Sequence, residues 1–365
     1  MRKESYYLSF LLLLFTSCIK YYNPPMDTVS GMLVVDAQIT NDISRNVVHL
    51  SRTRSYYNDQ PVVEVTGAAV TMNQVGSTVS MRGHEITVGH YVFDQVPLVG
   101  KQYYLRIIIG NDVYESKAVT MPSVPKMDNF YTTPVTITYN ENSGESTPRT
   151  YEKPGREIDT DLHLTDSISY YRFSVRSLIE WKYDSIPDTM FPDMYGWYSY
   201  LDNEKFQLAG PRDQTQPGKI VKYPLLTLSY RASDYFHSSP KALEAVGWIL
   251  FIDQFGLSKE SYEFHNQLNN QFAASGSLFD PTQTQVYGNI ICKTRATETV
   301  YGFFDLCTYQ HRRYFLTLPT PPLAITLRQI YRYPDIPLNG IIYAKMPTEE
   351  SPHPEPILPP DWWEQ

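Results

Sequence analysis

The sequence is poor in long hydrophobic runs, and this limits how the protein can meet a membrane. Beyond residue 18 the most apolar stretch is residues 246–255, and Asp253 and Gln254 interrupt it. A helix needs about 20 consecutive apolar residues to span a bilayer. The sequence therefore predicts no membrane-spanning helix after its N-terminal segment.

Basic residues are also too few for several binding roles. The 365 residues include 31 lysines and arginines against 39 acidic residues, which gives a net charge of −8. Nucleic-acid binding requires a basic footprint, and docking on anionic lipid requires basic clusters. The composition argues against both kinds of partner.

Motifs of catalysis and metal binding are missing as well. The sequence has no Gly-x-Ser-x-Gly, no His-Glu-x-x-His and no glycine-rich phosphate loop. His163, His265 and His311 are isolated in the sequence, whereas zinc needs three or four convergent ligands. We expect no metal site and no cofactor. An unrecognised hydrolase stays an alternative, because a pair of catalytic carboxylates has no readable spacing.

The N-terminus, in contrast, carries a recognisable export signal. Two basic residues precede a short apolar run at residues 8–15, and two small residues lie just before Cys18. This order predicts a cleaved signal over residues 1–17 and a lipid anchor on Cys18, followed by a tether over residues 18–30. An ordinary secretory signal, with Cys18 there by chance, is the alternative.

The rest of the chain has the composition and pattern of a mainly β protein. It contains 30 tyrosines, and its 27 prolines outnumber its 18 glycines. Short alternating segments separated by turn residues predict a β-sandwich over residues 31–122. A larger β-rich domain over residues 123–345, with one conspicuous helix, and a Pro-rich acidic tail over residues 346–365 follow. The clearest predicted strands cover residues 32–39, 47–53, 68–72, 90–93, 103–109, 113–116, 170–175, 223–228 and 248–252.

The helix is predicted from spacing, and one long stretch is predicted to lack regular structure. Phe264, Leu268 and Phe272 recur every four residues after Ser258, which is a suitable N-cap. Residues 259–272 therefore read as a helix with one apolar face. Residues 137–160 are weakly patterned, and we expect part of them to form a flexible loop.

The two remaining cysteines lie in a predicted hairpin near the C-terminal end. Residues 289–292 and 300–304 should pair as antiparallel strands around a polar loop. In that register Cys307 lies too far along the strand to reach Cys292, since bonded cysteines need Cα atoms within about 7 Å. Two buried free thiols are the favoured interpretation. A Cys292–Cys307 disulfide in another register is the alternative.

Several segments, in this order, resemble an uncharacterised family of outer-membrane lipoproteins of Bacteroidota (domain of unknown function 4249). The segments are LVVDAQITN from Leu33, VHLSRT from Val48, YYRF from Tyr170, LFDP from Leu278, GNI from Gly288 and VYGFF from Val300. We expect residues 278–281 (LFDP) to form a structural turn, because Pro281 restricts the residue before it.

This resemblance implies both a fold and a cellular setting. It implies that the N-terminal sandwich is Ig-like, and that the gene lies near those of TonB-dependent outer-membrane receptors. The function implied is an accessory, ligand-binding lipoprotein in nutrient uptake, anchored in the outer membrane with its face, periplasmic or cell-surface, left open. A structural or adhesive surface protein without a small ligand is the alternative.

One segment is unusually rich in aromatic residues. Tyr195, Trp197, Tyr198 and Tyr200 crowd residues 191–206. Such side chains can stack on flat ligand faces or anchor a protein partner. A core strand with Trp197 buried is the favoured interpretation, and a ligand or partner surface is the alternative.

Overall fold

The computed structural model describes residues 31–54, 61–141, 149–183, 194–201, 206–229, 244–273, 286–316 and 340–343. Within these ranges the protein is mainly β, which confirms the predicted fold class. The signal and Cys18, the tether up to residue 30, the turn at residues 278–281 and the tail lie outside the described residues. The Ig-like character of the N-terminal region stays a prediction.

The described chain opens with nine strands and continues with seven longer or more irregular ones. The first nine are β1 (Leu33–Ile39), β2 (Val47–Arg52), β3 (Val63–Glu64), β4 (Ala69–Gln74), β5 (Ser80–Thr87), β6 (His90–Phe93), β7 (Gln102–Ile109), β8 (Asp112–Ser116) and β9 (Val119–Thr120). The next seven are β10 (Phe130–Glu141), β11 (Arg149–His163), β12 (Tyr170–Tyr183), β13 (Met194–Leu201), β14 (Gln207–Ala209), β15 (Lys219–Ser229) and β16 (Glu244–Leu257).

One helix and four strands complete the described elements. They are α1 (Lys259–Ala273), β17 (Ile290–Cys292), β18 (Tyr301–Leu306), β19 (Thr308–Phe315) and β20 (Gly340–Tyr343). In the part of the chain that the structure describes, α1 and the other helical turns include none long and apolar enough to span a bilayer.

Strands β1 to β9 wrap around the first hydrophobic core. Along β1 the buried residues alternate with more exposed ones, because successive side chains of a strand point to opposite faces. Strand β5 links the strands on either side of it in the first sheet: its first residues pair with β4 and its later residues pair with β6. At the change of partner lies Gly83, where a Cβ atom would lie 3.3 Å from the ring of Phe93.

Two strands from far along the chain complete this first sheet. Strand β17 pairs antiparallel with β8, and β18 pairs parallel with β1, in the order β17-β8-β7-β4-β5-β6-β2-β1-β18. The predicted hairpin of residues 289–292 with 300–304 is therefore wrong. The predicted boundary at residue 122 needs the same correction, since the first core also includes Ile290, Phe304 and Leu306.

The backbone just before β17 and at the start of β18 lies unusually close to neighbouring backbone. A Cβ atom on Gly288 would lie 1.6 Å from the carbonyl oxygen of Gly302, and one on Gly302 would lie 2.0 Å from that of Val35. The Asn289 side chain accepts from the Phe304 N–H at 2.8 Å and donates to the Phe304 carbonyl at 2.9 Å. These contacts hold the two separated strands in place without pairing them to each other.

The second region consists of two further sheets around a second core. A three-stranded sheet has the order β10-β11-β15, and a larger one has the order β19-β16-β12-β13-β20, with β14 paired to β12. Buried residues of both sheets, including Ile158, Leu226, Val175 and Ile252, form one cluster. Most of residues 137–160 forms paired strand, because β10 from Phe130 to Glu141 pairs with β11 from Arg149 to Thr160. The flexible loop expected for part of this stretch stays a prediction, since residues 142–148 lie outside the described residues.

Helix α1 begins where the sequence predicts, but it packs through a different face. The Ser258 hydroxyl accepts from the Ser261 N–H at 3.1 Å, which confirms the predicted N-cap. Ser261 and His265 are buried, whereas Phe272, at the end of the predicted apolar face, is 64% exposed. The helix therefore docks through these two polar side chains and through Phe264 of the predicted face, whose ring stacks on that of Phe303 with centroids 4.4 Å apart.

Candidate functional site

The candidate site lies on the sheet face opposite the second core. On β12, β16 and β19, alternate residues such as Val175 and Ile252 point into the core, so the residues between them share the other face. We call this the Asp253 face. Its three cross-strand rows are Arg172–Phe255–Tyr309, Ser174–Asp253–His311 and Arg176–Phe251–Arg313.

Asp253 is the centre of this face and is bonded from three directions. Its Oδ1 lies 2.7 Å from Nδ1 of His311 and accepts the hydroxyl proton of Tyr309 at 2.8 Å. Its Oδ2 accepts from Arg45 Nη2 at 3.2 Å. The ring of His311 is held by its Nδ1 atom, and its side chain is 37% exposed.

The charges of the site are set by these bonds. Burial alone would raise the pKa of Asp253, but the hydrogen bonds from His311 and Tyr309, with the charges of Arg45 and His311, lower it below its usual value. Burial and the Asp253 carboxylate raise the pKa of Tyr309. Asp253 is therefore ionised, and Tyr309 keeps its proton, across the physiological range.

Arg45 brings the first region into the site. It ends a short 3-10 turn, Ile43–Arg45, whose N-cap Asp42 accepts from the Ser44 N–H at 3.0 Å. The Arg45 guanidinium lies 3.9 Å from the ring centroid of Tyr309. Next to it, the Asn41 amide bonds both the N–H of Tyr309 (2.6 Å) and its carbonyl (3.1 Å). The Asp253 face thus continues onto the first region.

The third row of the face carries two arginines around an aromatic ring. Arg176 and Arg313 lie opposite Phe251 on the two neighbouring strands. The guanidinium of Arg176 is 4.5 Å from the centroid of the Phe251 ring, and His311 stacks on the same ring at 6.2 Å. Burial lowers the pKa of Arg176. Strand β19, with His311 and Arg313, is the edge strand of its sheet among the described strands.

A second polar cluster lies under helix α1. Asp305 of β18 accepts from the Ser261 hydroxyl at 2.7 Å and lies 3.2 Å from Nε2 of His265. Arg172 lies near this cluster and donates to the Gln38 amide oxygen at 2.6 Å. All three members of the cluster are buried, so it joins the helix to the first region.

Neither cluster has the geometry of a Ser-His-Asp triad. A nucleophile must contact its base, but Ser261 and His265 both contact Asp305 instead of each other. On the Asp253 face the carboxylate holds His311 as in an acid–base pair, yet Ser174 is opposite Asp253 and has no contact with His311 among the described residues. No group of three metal-ligating side chains occurs within the described ranges.

The aromatic residues and the two cysteines that the sequence singled out lie in different parts of the fold. Tyr195, Trp197, Tyr198 and Tyr200 lie on β13, whose backbone pairs with β12. Their side chains lie outside the described part of the structure, so their role stays a prediction. Cys292 and Cys307 are both buried and free, and the alternative of a disulfide between them is not realised.

The groups that form the candidate site were missed in the sequence. His163, His265 and His311 are isolated along the chain, yet each lies beside a carboxylate in space, of Asp128, Asp305 and Asp253 respectively. The useful signal was Asp253 itself, a charged residue within the most apolar stretch of the sequence. A charge at such a position is rarely buried without partners.

Comparison with known proteins gives a family but no function. No curated protein and no solved structure matches the chain. The sequence pattern of one family, described as a domain of unknown function (DUF4249), matches residues 19–313, which is most of the chain. The protein therefore belongs to the DUF4249 family.

Proposed function

We propose that this protein is a lipid-anchored component of the outer membrane that binds a ligand and works with a TonB-dependent transporter in nutrient uptake. The observation that carries the binding role is the Asp253 face. It combines ionised, hydrogen-bonded and aromatic groups on a half-exposed surface, which is the combination that ligand sites use to orient a bound molecule.

The arrangement of the face supports binding over a purely structural role. The second core is built from the opposite side of the sheet, so sheet packing alone does not require Asp253, His311 and Arg176. Burial of such groups costs free energy unless hydrogen bonds or ion pairs offset the loss of hydration. A surface that keeps the His311 side chain 37% exposed beside these charged groups is suited to a polar ligand.

The N-terminal sequence supports the location. The order of basic, apolar and small residues before Cys18 is that of a lipoprotein signal, and acylation would hold the mature chain at the membrane. The net charge of −8 offers no electrostatic attraction to anionic lipid. The acyl chains would therefore supply the attachment.

The proposal is tested by isolating the tagged protein from detergent-solubilised outer membranes and identifying what co-purifies. We expect a TonB-dependent transporter in amounts comparable with the protein itself. An Asp253→Asn variant should retain less of it than an Asp36→Asn variant, whose carboxylate is exposed on β1. Matrix material in place of a transporter would support the structural or adhesive alternative and overturn the proposal.

A further inference from the structure

In the part of the chain that the structure describes, the third row of the Asp253 face contains two arginines that form no ion pair. Among the described residues the Arg176 side chain makes no hydrogen bond or ion pair; its guanidinium contacts the Phe251 ring and feels the charge of Asp253. The Nη1 atom of Arg313 is buried and has no hydrogen-bond partner in the described ranges. Buried donors are nearly always satisfied in folded proteins, so the Nη1 atom of Arg313 calls for an acceptor, and the half-buried Arg176 can supply further donors to the same group.

Asp253, the described carboxylate whose charge acts on Arg176, already has its own partners. Asp253 accepts from Tyr309 and Arg45 and holds Nδ1 of His311. Arg295, by contrast, has its own acceptors: it lies 2.7 Å from carboxylate oxygens of both Asp112 and Glu298. Single Nε atoms of Arg106, Arg156 and Arg172 are also buried without a hydrogen-bond partner in the described ranges. The row Arg176–Phe251–Arg313 differs from these places because it sets two guanidinium groups on either side of one aromatic ring.

We infer that Arg176 and Arg313, on either side of Phe251, bind an oxyanion group of the ligand. The inference rests on the proposed binding role and names its ligand class: a molecule with a carboxylate, phosphate or sulfate group. A guanidinium presents parallel N–H donors that match such a group, and two of them on the strands that flank β16 can hold it from both sides.

The surroundings favour this assignment. The register sets Arg176 and Arg313 on the two strands that flank β16, each one cross-strand step from Phe251. The Phe251 ring lies between the two strand positions, and the stacked His311 ring borders it on the side of Asp253. The positive charge is local, because the whole chain is acidic. A local cluster of positive charge on an acidic protein binds an anion at close range without attracting polyanions in general.

The test is calorimetric titration of the full mature chain, purified in detergent, with sodium phosphate, sulfate and acetate at constant ionic strength set by sodium chloride. We expect saturable binding of at least one of the three anions. Arg176→Gln and Arg313→Gln should each weaken it at least tenfold, and Arg176→Lys should weaken it less, because it keeps the charge and loses the fork. Arg82→Gln, at an exposed position of β5, is the matched control and should bind like the wild type.

A parallel arm identifies the source of the oxyanion. Vesicles of phosphatidylglycerol are compared with vesicles of phosphatidylcholine, and loss of binding in both arginine variants assigns the group to a lipid headgroup rather than a soluble ligand. The inference is overturned if no anion binds saturably, or if wild type and both glutamine variants bind alike. Because this measurement uses purified protein and simple salts, its failure is separate from the failure to find a transporter.

Discussion

Asp305 is the residue that most clearly joins separate parts of the chain. It lies on β18 opposite Gln38 of β1, and it accepts from Ser261 on helix α1 and contacts His265 one turn further. Burial would raise the pKa of Asp305, but the bonds from His265 and Ser261 and the charge of Arg172 lower it. An ionised carboxylate is therefore built into the joint between the helix and the first region.

Replacing this carboxylate should reduce stability in a pH-dependent way. We expect Asp305→Asn to lower the free energy of unfolding near pH 7 by about 1–3 kcal/mol, because it leaves buried donors poorly satisfied. A lowered folded-state pKa stabilises the protein above the unfolded value near 3.8, and this contribution is lost as the pH falls through the folded value. The variant should lack that part of the acid dependence.

Urea unfolding between pH 3 and pH 7 measures this effect. Asp36→Asn is the control, because Asp36 is exposed on the strand that pairs with β18. Equal stability of the Asp305→Asn protein and the control at pH 7 would show that the carboxylate does not join the two regions.

Gly302 offers a second test at the scale of one residue. It has a φ of +89°, and a Cβ atom there would lie 2.0 Å from the Val35 carbonyl oxygen. Gly110 has a φ of +59° with open space around it, so Gly110→Ala measures the cost of the backbone conformation alone, about 1–2 kcal/mol. We expect Gly302→Ala to cost clearly more in thermal or urea unfolding, because β1 and β18 must separate. Equal costs would contradict the close approach of the two strands.

At the scale of elements, local patterns predicted the strands well and their partners poorly. The alternation of residues 32–39 and 103–109 corresponds to β1 and β7, and the Ser258 cap marks the start of α1. The pairing of β18 with β1 links residues more than 250 positions apart, which no local pattern encodes. The buried face of α1 was missed for the same reason, since Ser261 and His265 are buried by a distant carboxylate.

The strands β17 and β18 bear on whether the N-terminal region can fold by itself. A fragment of residues 26–125, which the sequence suggests is a complete sandwich, lacks the buried Ile290, Phe304 and Leu306 and leaves β1 unpaired along one edge. We expect this fragment to unfold without a clear cooperative transition in circular dichroism and to bind a hydrophobic dye.

The control for this prediction is the same fragment with residues 286–307 joined through a flexible linker. We expect the longer protein to regain a cooperative thermal transition. A fragment of residues 26–125 that melts as sharply and at the same temperature would show that the first core does not need the returning strands.

At the scale of the whole molecule, the two β regions meet along the segment that runs from β17 to β19. Strand β18 belongs to the first sheet and β19, two residues later, belongs to the larger sheet of the second region. The Asp253 face lies at this junction, and Arg45 reaches it from the first region. The site could not be predicted from sequence because its members come from four separate segments.

The location of the molecule is tested by its N-terminal cysteine. We expect Cys18→Ala to release the protein from the membrane fraction or to stall its processing, because no acyl chains would then attach. Fractionation followed by mass spectrometry of the mature N-terminus measures this. An unmodified N-terminus in the wild type, with the same membrane retention in both proteins, would contradict lipid anchoring.

The central claim is that the Asp253 face is the working surface through which the protein meets its transporter and ligand. Phe315 follows Arg313 on the same face of β19 and is 45% exposed, so its replacement by the photo-crosslinker p-benzoylphenylalanine leaves the site residues in place. Tyr287, an exposed aromatic residue before β17, serves as the control position. Irradiation of living cells should yield an adduct with a TonB-dependent transporter from position 315 and not from position 287. No adduct at position 315, or equal adducts at both positions, would contradict the account.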